Sequence, residues 1–172
     1  MPKTLKEQIN KRSPFASPEE EAYLNLMRTA AELAGPESTY FRSLTPRLSP
    51  ASYNVLRILR GRHTRAETQG ARASEIGCEM VVRMPDVTRL VDRLESQALV
   101  KRTRDARDKR VVWVAITKKG LALLDRIESD VHETVRTLLA HMSRDELDTL
   151  SRLLEKARHP REDQQDPRKD PP

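Results

Sequence analysis

Residues Leu94 to Gly120 read LESQALVKRTRDARDKRVVWVAITKKG. From Val100 onward this stretch carries eight cations, Lys101, Arg102, Arg104, Arg107, Lys109, Arg110, Lys118 and Lys119, against two acids, Asp105 and Asp108. The local balance is +6, equal to the formal charge of the whole 172-residue chain, so the remainder sums to zero. Apolar and β-branched residues flank the charge, Leu99-Val100 before it and Val111-Val112-Trp113-Val114-Ala115-Ile116 after it. Two short strands joined by a basic loop are the predicted structure. A merely solvated hairpin would read the same way, since many charge runs only face water. Such a hairpin could carry both signs, as the rest of the chain does. A cationic tip on two strands suits a polyanion, and duplex DNA is the obvious one, because neutralising its phosphates releases condensed counterions.

Immediately upstream, Ala73 to Met80 predicts a short helix with Ala73, Ile76, Gly77 and Met80 on one face. Met84-Pro85-Asp86 opens another, the proline suiting its first turn and Asp86 its positive end. Val87, Leu90, Val91 and Leu94 form the inner stripe of that helix, and Asp86, Thr88, Arg89, Asp92 and Arg93 its outer face. Two helices with a tight connection, followed at once by a basic hairpin, is the order of a winged helix-turn-helix. In that arrangement the second helix fits the major groove, and the hairpin lies along the neighbouring backbone, where an arginine can enter a narrow minor groove.

Further out, Ser49-Pro50 caps a helix running to about Gly61, with Val55, Leu56, Ile58 and Leu59 as a broad apolar face. Polar residues Arg62 to Arg72 predict a loop, with His63 in solvent. Ser17-Pro18-Glu19-Glu20 opens an earlier helix that Gly35-Pro36 is expected to end. A short segment around Tyr40, Phe41 and Leu44 follows. The cationic start, with Lys3, Lys6, Lys11 and Arg12, reads as a frayed terminus in preference to an arm reaching a partner or DNA. Downstream, Thr117 can cap a helix to about Met142 whose apolar positions Leu124, Ile127, Val131, Val135, Leu138 and Met142 make a narrow seam. Ser143 to Glu146 is a capping box opening a last helix with Leu147, Leu150, Leu153, Leu154 and Ala157.

These helices need an apolar cover, which a symmetric second copy or an intramolecular bundle could supply. The dimer reading assigns Leu24, Leu124, Ile127, Val131, Val135, Leu138, Leu150 and Leu154 to the interface. The expected class is mainly α (α+β). Residues 1–16 form a flexible arm, 17–48 and 118–158 the dimerisation helices, 49–117 the winged helix-turn-helix, and 159–172 a flexible tail.

Composition excludes several classes. Charged residues reach 34% and aromatics 3%, the apolar runs are too short to span a membrane, and no secretory signal is visible. The single cysteine, Cys78, rules out an internal disulfide and suits a reducing cytoplasm; a buried, inert thiol is the expectation over a redox sensor. His63, His132, His141 and His159 are scattered, so no metal site is expected, and no catalytic or cofactor motif appears.

With Leu94-Glu95, Leu99-Val100, Arg102, Asp108-Lys109-Arg110, Thr117 and Gly120 in this order, preceded by Thr88-Arg89-Leu90-Val91-Asp92-Arg93, the chain resembles the MarR family of bacterial winged-helix transcription factors from about Pro18 to Arg158. Ala98 stands where the family commonly has glycine, implying a turn that tolerates a β-carbon, and Ile116 replaces a common leucine. Pro85-Asp86 is a variant start to the recognition helix. The resemblance implies a homodimeric repressor on a roughly palindromic operator, relieved by a small aromatic or phenolic effector or by an oxidant. It implies that Thr88 and Arg89 meet bases or nearby phosphates, with Arg93 on the same face. Arg107 or Arg110 would be the wing-tip probe beside Lys109, and Asp108 would orient the arginine near it. Lys101, Arg102 and Arg104 fall to phosphates or strand-end ion pairs. Tyr23, Met27, Tyr40 and Phe41 are candidate effector-lining residues, although core is the preferred reading of each. The other readings are a winged-helix module that binds protein, or a non-specific architectural DNA binder.

Overall fold

The basic stretch folds as the antiparallel hairpin its pattern predicts. β1 (Val100–Arg104) pairs with β2 (Val112–Ile116) in the register Val100↔Ile116 to Arg104↔Val112. The structure is a computed structural model that describes residues 3–44, 46–64 and 70–159. Around the hairpin run α1 (Leu5–Gln8), α2 (Pro18–Ser43), α3 (Pro50–Thr64), α4 (Ala73–Glu79), α5 (Val87–Ser96), α6 (Lys118–Leu139) and α7 (Arg144–Arg158). The chain divides into two compact units, Met1–Thr134 and Val135–Pro172.

The first unit holds the core. Val55, Leu56 and Leu59 of α3, Ile76 of α4, Val91 and Leu94 of α5, and Val100 and Val114 of the hairpin are all buried in one cluster. α3 is central to it, touching α2, α4, α5 and β2. Its four consecutive-turn apolar residues explain this, since they cover more than one side of the helix. Two polar ties link α3 and α2 to the middle of α6. Arg60 bonds the Glu128 carboxylate through both terminal nitrogens, and the Tyr40 hydroxyl lies 3.3 Å from Asp130 Oδ2. In the second unit α7 begins with the predicted Ser143–Glu146 capping box, and none of its residues is buried.

Several expectations change. α2 does not stop at Gly35-Pro36 but continues to Ser43, absorbing the expected Tyr40–Leu44 segment. Gly35 has no β-carbon to meet the proline ring, which relieves much of the clash that normally ends a helix before proline. Pro36 is also exposed, as is Glu32, so the Glu32 carbonyl that loses its helical donor lies on the solvent side. α3 extends three residues past Gly61 into the expected loop. At the loop's far end Ala71 pairs with Val114, adding a bridge beside the hairpin. Gly70, at φ +88°, permits this: a β-carbon there would fall 2.1 Å from the Val114 carbonyl oxygen. The expected N-terminal arm contains α1, with a Thr4–Glu7 capping box and a buried Leu5.

Cys78 is exposed, not buried. It lies two positions beyond inward-facing Ile76, roughly 200° around the helix. Residues 65–69 of the expected loop and 160–172 of the expected tail lie outside the described residues. Among the described residues no helix is long and apolar enough to cross a membrane, and no group of three or more His, Cys, Asp or Glu could hold a metal ion.

Candidate nucleic-acid interface

α5 is capped by Asp86, whose Oδ1 accepts the Arg89 N–H at 3.0 Å, so Pro85 sits just outside the helix. Val87, Val91 and Leu94 turn into the core and Leu90 is half-buried. The opposite face leaves Thr88, Arg89, Asp92 and Arg93 in solvent, with Arg89 86% exposed. This is the predicted division of the helix, and it follows from the 3.6-residue spacing of its apolar side chains.

The wing carries the rest of the charge. Arg104, Arg107, Lys109 and Arg110 are exposed, and Arg110 is 92% so. Two acids shape its tip. Asp108 Oδ1 accepts the Arg110 backbone N–H at 3.0 Å and its side-chain Nε–H at 3.2 Å, and these bonds hold the Asp108 carboxyl below the usual range. Asp105 Oδ1 accepts the N–H groups of Asp108 (3.0 Å) and Arg107 (2.8 Å), while its Oδ2 accepts the indole N–H of Trp113 (2.9 Å). These donors likewise depress its pKa, the Asp108 amide most. Sequence reading missed Asp105 and Trp113, which stand eight residues apart and meet only because the hairpin register brings them together.

Arg102 behaves differently from the other cations. Its guanidinium bonds Asp92, Glu95 and the Thr88 carbonyl, so the structure places it in ion pairs within the protein. The wing base is joined to α6 by Thr117. Its hydroxyl lies 2.8 and 3.1 Å from the carbonyls of Ala98 and Leu99 and accepts the Gly120 N–H at 3.1 Å. Gly120 is required there, because a β-carbon would come within 2.3 Å of the Leu99 oxygen.

The expected effector residues do not assemble. Tyr23 and Met27 are 61% and 53% exposed on α2, Phe41 is fully buried, and Tyr40 packs edge-on against Phe41. A cavity of about 460 Å³ opens elsewhere, bounded by Tyr53 and Arg57 of α3, by Met80, Val82 and Met84 of the helix-turn-helix turn, and by Leu90 of α5. The sequence carries no signal for it, since its walls come from separate segments. Of the expected interface residues, Leu124, Ile127 and Val131 are buried in the chain's own core. Leu24, Leu138, Leu150 and Leu154 are half-buried and Val135 is 47% exposed.

The MarR family model matches residues 48–112. Among curated relatives, the homoprotocatechuate degradative operon repressor of Escherichia coli is 27% identical over 119 residues, covering 68% of this chain and 76% of its own. The HTH-type transcriptional regulator YkoM of Bacillus subtilis is 30% identical over 148 residues, covering 85% and 92%. Among solved structures, the MarR transcription factor from Planctomyces limnophilus is 39% identical, with a TM-score of 0.62, over 83% of this chain and 98% of that one. With YkoM and the Planctomyces factor matched over more than nine-tenths of their lengths, this chain belongs to the MarR family of transcriptional regulators.

Proposed function

We propose that the chain is a sequence-specific repressor that binds a pseudo-palindromic operator as a homodimer and is released by a small aromatic or phenolic effector. The observation that carries DNA binding is the shared presentation of the exposed Arg89 and Arg93 of α5 and a strongly cationic wing. The exposed face of α5 suits a major groove, and a wing whose tip is fixed by Asp105 and Asp108 offers Arg107 and Arg110 to the adjacent backbone or minor groove. Thr88, Arg89 and Arg93 are the proposed groove contacts, with Arg104 and Lys109 at phosphates. The repressor sense follows the name of the Escherichia coli relative.

A second copy is supported by apolar side chains left in solvent. These are Tyr23, Leu26 and Met27 on α2, Val135 on α6 and Leu153 on α7, each at least 44% exposed. The interface then rests on Leu24, Val135, Leu138, Leu150 and Leu154, because Leu124, Ile127 and Val131 already fill the core. The effector site we assign to the cavity between α3 and the helix-turn-helix turn. Its size and apolar lining suit a single aromatic ring, and the Arg57 guanidinium beside Asn54 can meet a phenolate or carboxylate.

The test is a mobility shift on DNA from upstream of the chain's own gene, at two salt concentrations with excess competitor. The expected result is a complex of dimer stoichiometry that resists bulk competitor and weakens steeply with salt, because each neutralised phosphate contributes a slope of about −0.9. Equal displacement by any DNA would make it an architectural binder, and no complex at either salt would favour a protein-binding module. A phenolic acid that dissociates the complex, and fails to do so when Arg57 is replaced by alanine, would establish the cavity.

A further inference from the structure

We propose that Arg102 is a positioning residue that locks the recognition helix α5 to the wing and does not itself contact DNA, an inference that rests on the regulator reading above. Arg102 is in the middle of β1, and its side chain turns toward α5. One terminal nitrogen bonds the Asp92 carboxylate and lies 3.1 Å from Glu95 Oε2; the other lies 3.3 Å from the Thr88 carbonyl oxygen. Its backbone N–H closes the network at 3.0 Å from Glu95 Oε1.

Thr88, Asp92 and Glu95 stand at i, i+4 and i+7, one stripe of the helix. A single guanidinium therefore grips two turns of α5. Only a planar fork with several fixed donors can do this, and a lysine ammonium on the same stem cannot. The side chain of Arg102 is 26% exposed, against 86% for Arg89 and 92% for Arg110, so its head is committed inward.

The grip has two effects. It fixes the rotation and axial position of α5 against the hairpin, so that Thr88, Arg89 and Arg93 are offered at a constant offset from Arg107 and Arg110. It also compensates two carboxylates on a helix that approaches phosphates. A group with these tasks governs discrimination between sequences, whereas a phosphate contact weakens binding to all sequences alike.

The experiment uses the full chain with Arg102→Gln and Arg102→Lys, and two duplexes, one that the wild type enriches from a random-sequence pool and a scrambled version of it. Positioning predicts that both variants lose about tenfold or more on the enriched duplex and far less on the scrambled one. It further predicts an unchanged salt slope, and faster amide exchange across Val87–Ser96 in the free protein with little change in global thermal unfolding. If Arg102→Lys matches the wild type, or if Arg102→Gln weakens both duplexes equally with a slope reduced by about 0.9, Arg102 is a phosphate contact and the proposal is overturned. A wild type that enriches no sequence would defeat the regulator reading instead. Exchange in the free protein then decides the lock, and unchanged exchange across α5 overturns it.

Discussion

Asp105 bears no cation and reaches nothing beyond the wing, yet its carboxylate gathers three N–H donors that set where Arg107 and Arg110 begin. Those bonds depress its pKa in the folded chain. The contribution to wing order is therefore complete above the unfolded aspartate value, about 3.9, and is lost as pH falls through the lower folded value. Trp113 is the chain's one tryptophan, so its emission reports this directly. We expect a constant signal from neutral pH down to about pH 4 and a change below it, and Asp105→Asn should abolish that acid transition. At Arg110, replacement by alanine should weaken operator binding by about 1–3 kcal/mol with thermal unfolding unchanged, as read by titration and calorimetry. That Asp108 orients a neighbouring arginine was implied by the family resemblance, which left Arg107 and Arg110 open, and the partner is Arg110. The Asp105–Trp113 bond was not legible in the sequence, because it depends on a strand register that local pattern does not determine.

At the scale of elements, the turn from α5 into β1 contains a strained residue. Ala98 sits at φ +58°, a conformation that an L side chain adopts at a cost of about 1–2 kcal/mol. Alanine in place of the family's common glycine implied a turn that tolerates a β-carbon, and the backbone instead retains the left-handed geometry that glycine serves. Its N–H still donates to the Glu95 carbonyl at 2.8 Å, and its own carbonyl takes the Thr117 hydroxyl at 2.8 Å. Ala98→Gly should therefore raise stability by roughly 1 kcal/mol, measured by chemical denaturation, because relief of strain outweighs the added freedom of the unfolded chain. Element type was legible wherever apolar spacing was regular, as in α3, α5 and the hairpin. It failed at Gly35-Pro36, where two helix-breaking residues in sequence are compatible with a continuous helix because the first relieves the steric demand of the second.

For the whole molecule, the apolar side chains that the chain leaves in solvent predict its assembly. Leu154→Glu should convert a dimer into monomers by light scattering, with helical content retained, and should abolish high-affinity operator binding with it. Val131→Glu differs in kind. Val131 is 5% exposed within the core, so burying a charge there should unfold the first unit rather than only separate subunits. Periodicity alone placed Val131 and Leu138 on one seam, because it shows which residues share a face and not what covers that face.

The cavity has a consequence for descent. Met80, Val82 and Met84 form part of its wall and also lead the chain into Asp86, the cap of α5. A substitution at Met80, Val82 or Met84 therefore alters both the proposed effector site and the segment that leads into the proposed recognition helix. If the cavity takes the proposed effector, lineages drifting toward a new inducer through these three positions would have to adjust their binding sites in step, and repertoire and address would be inherited together.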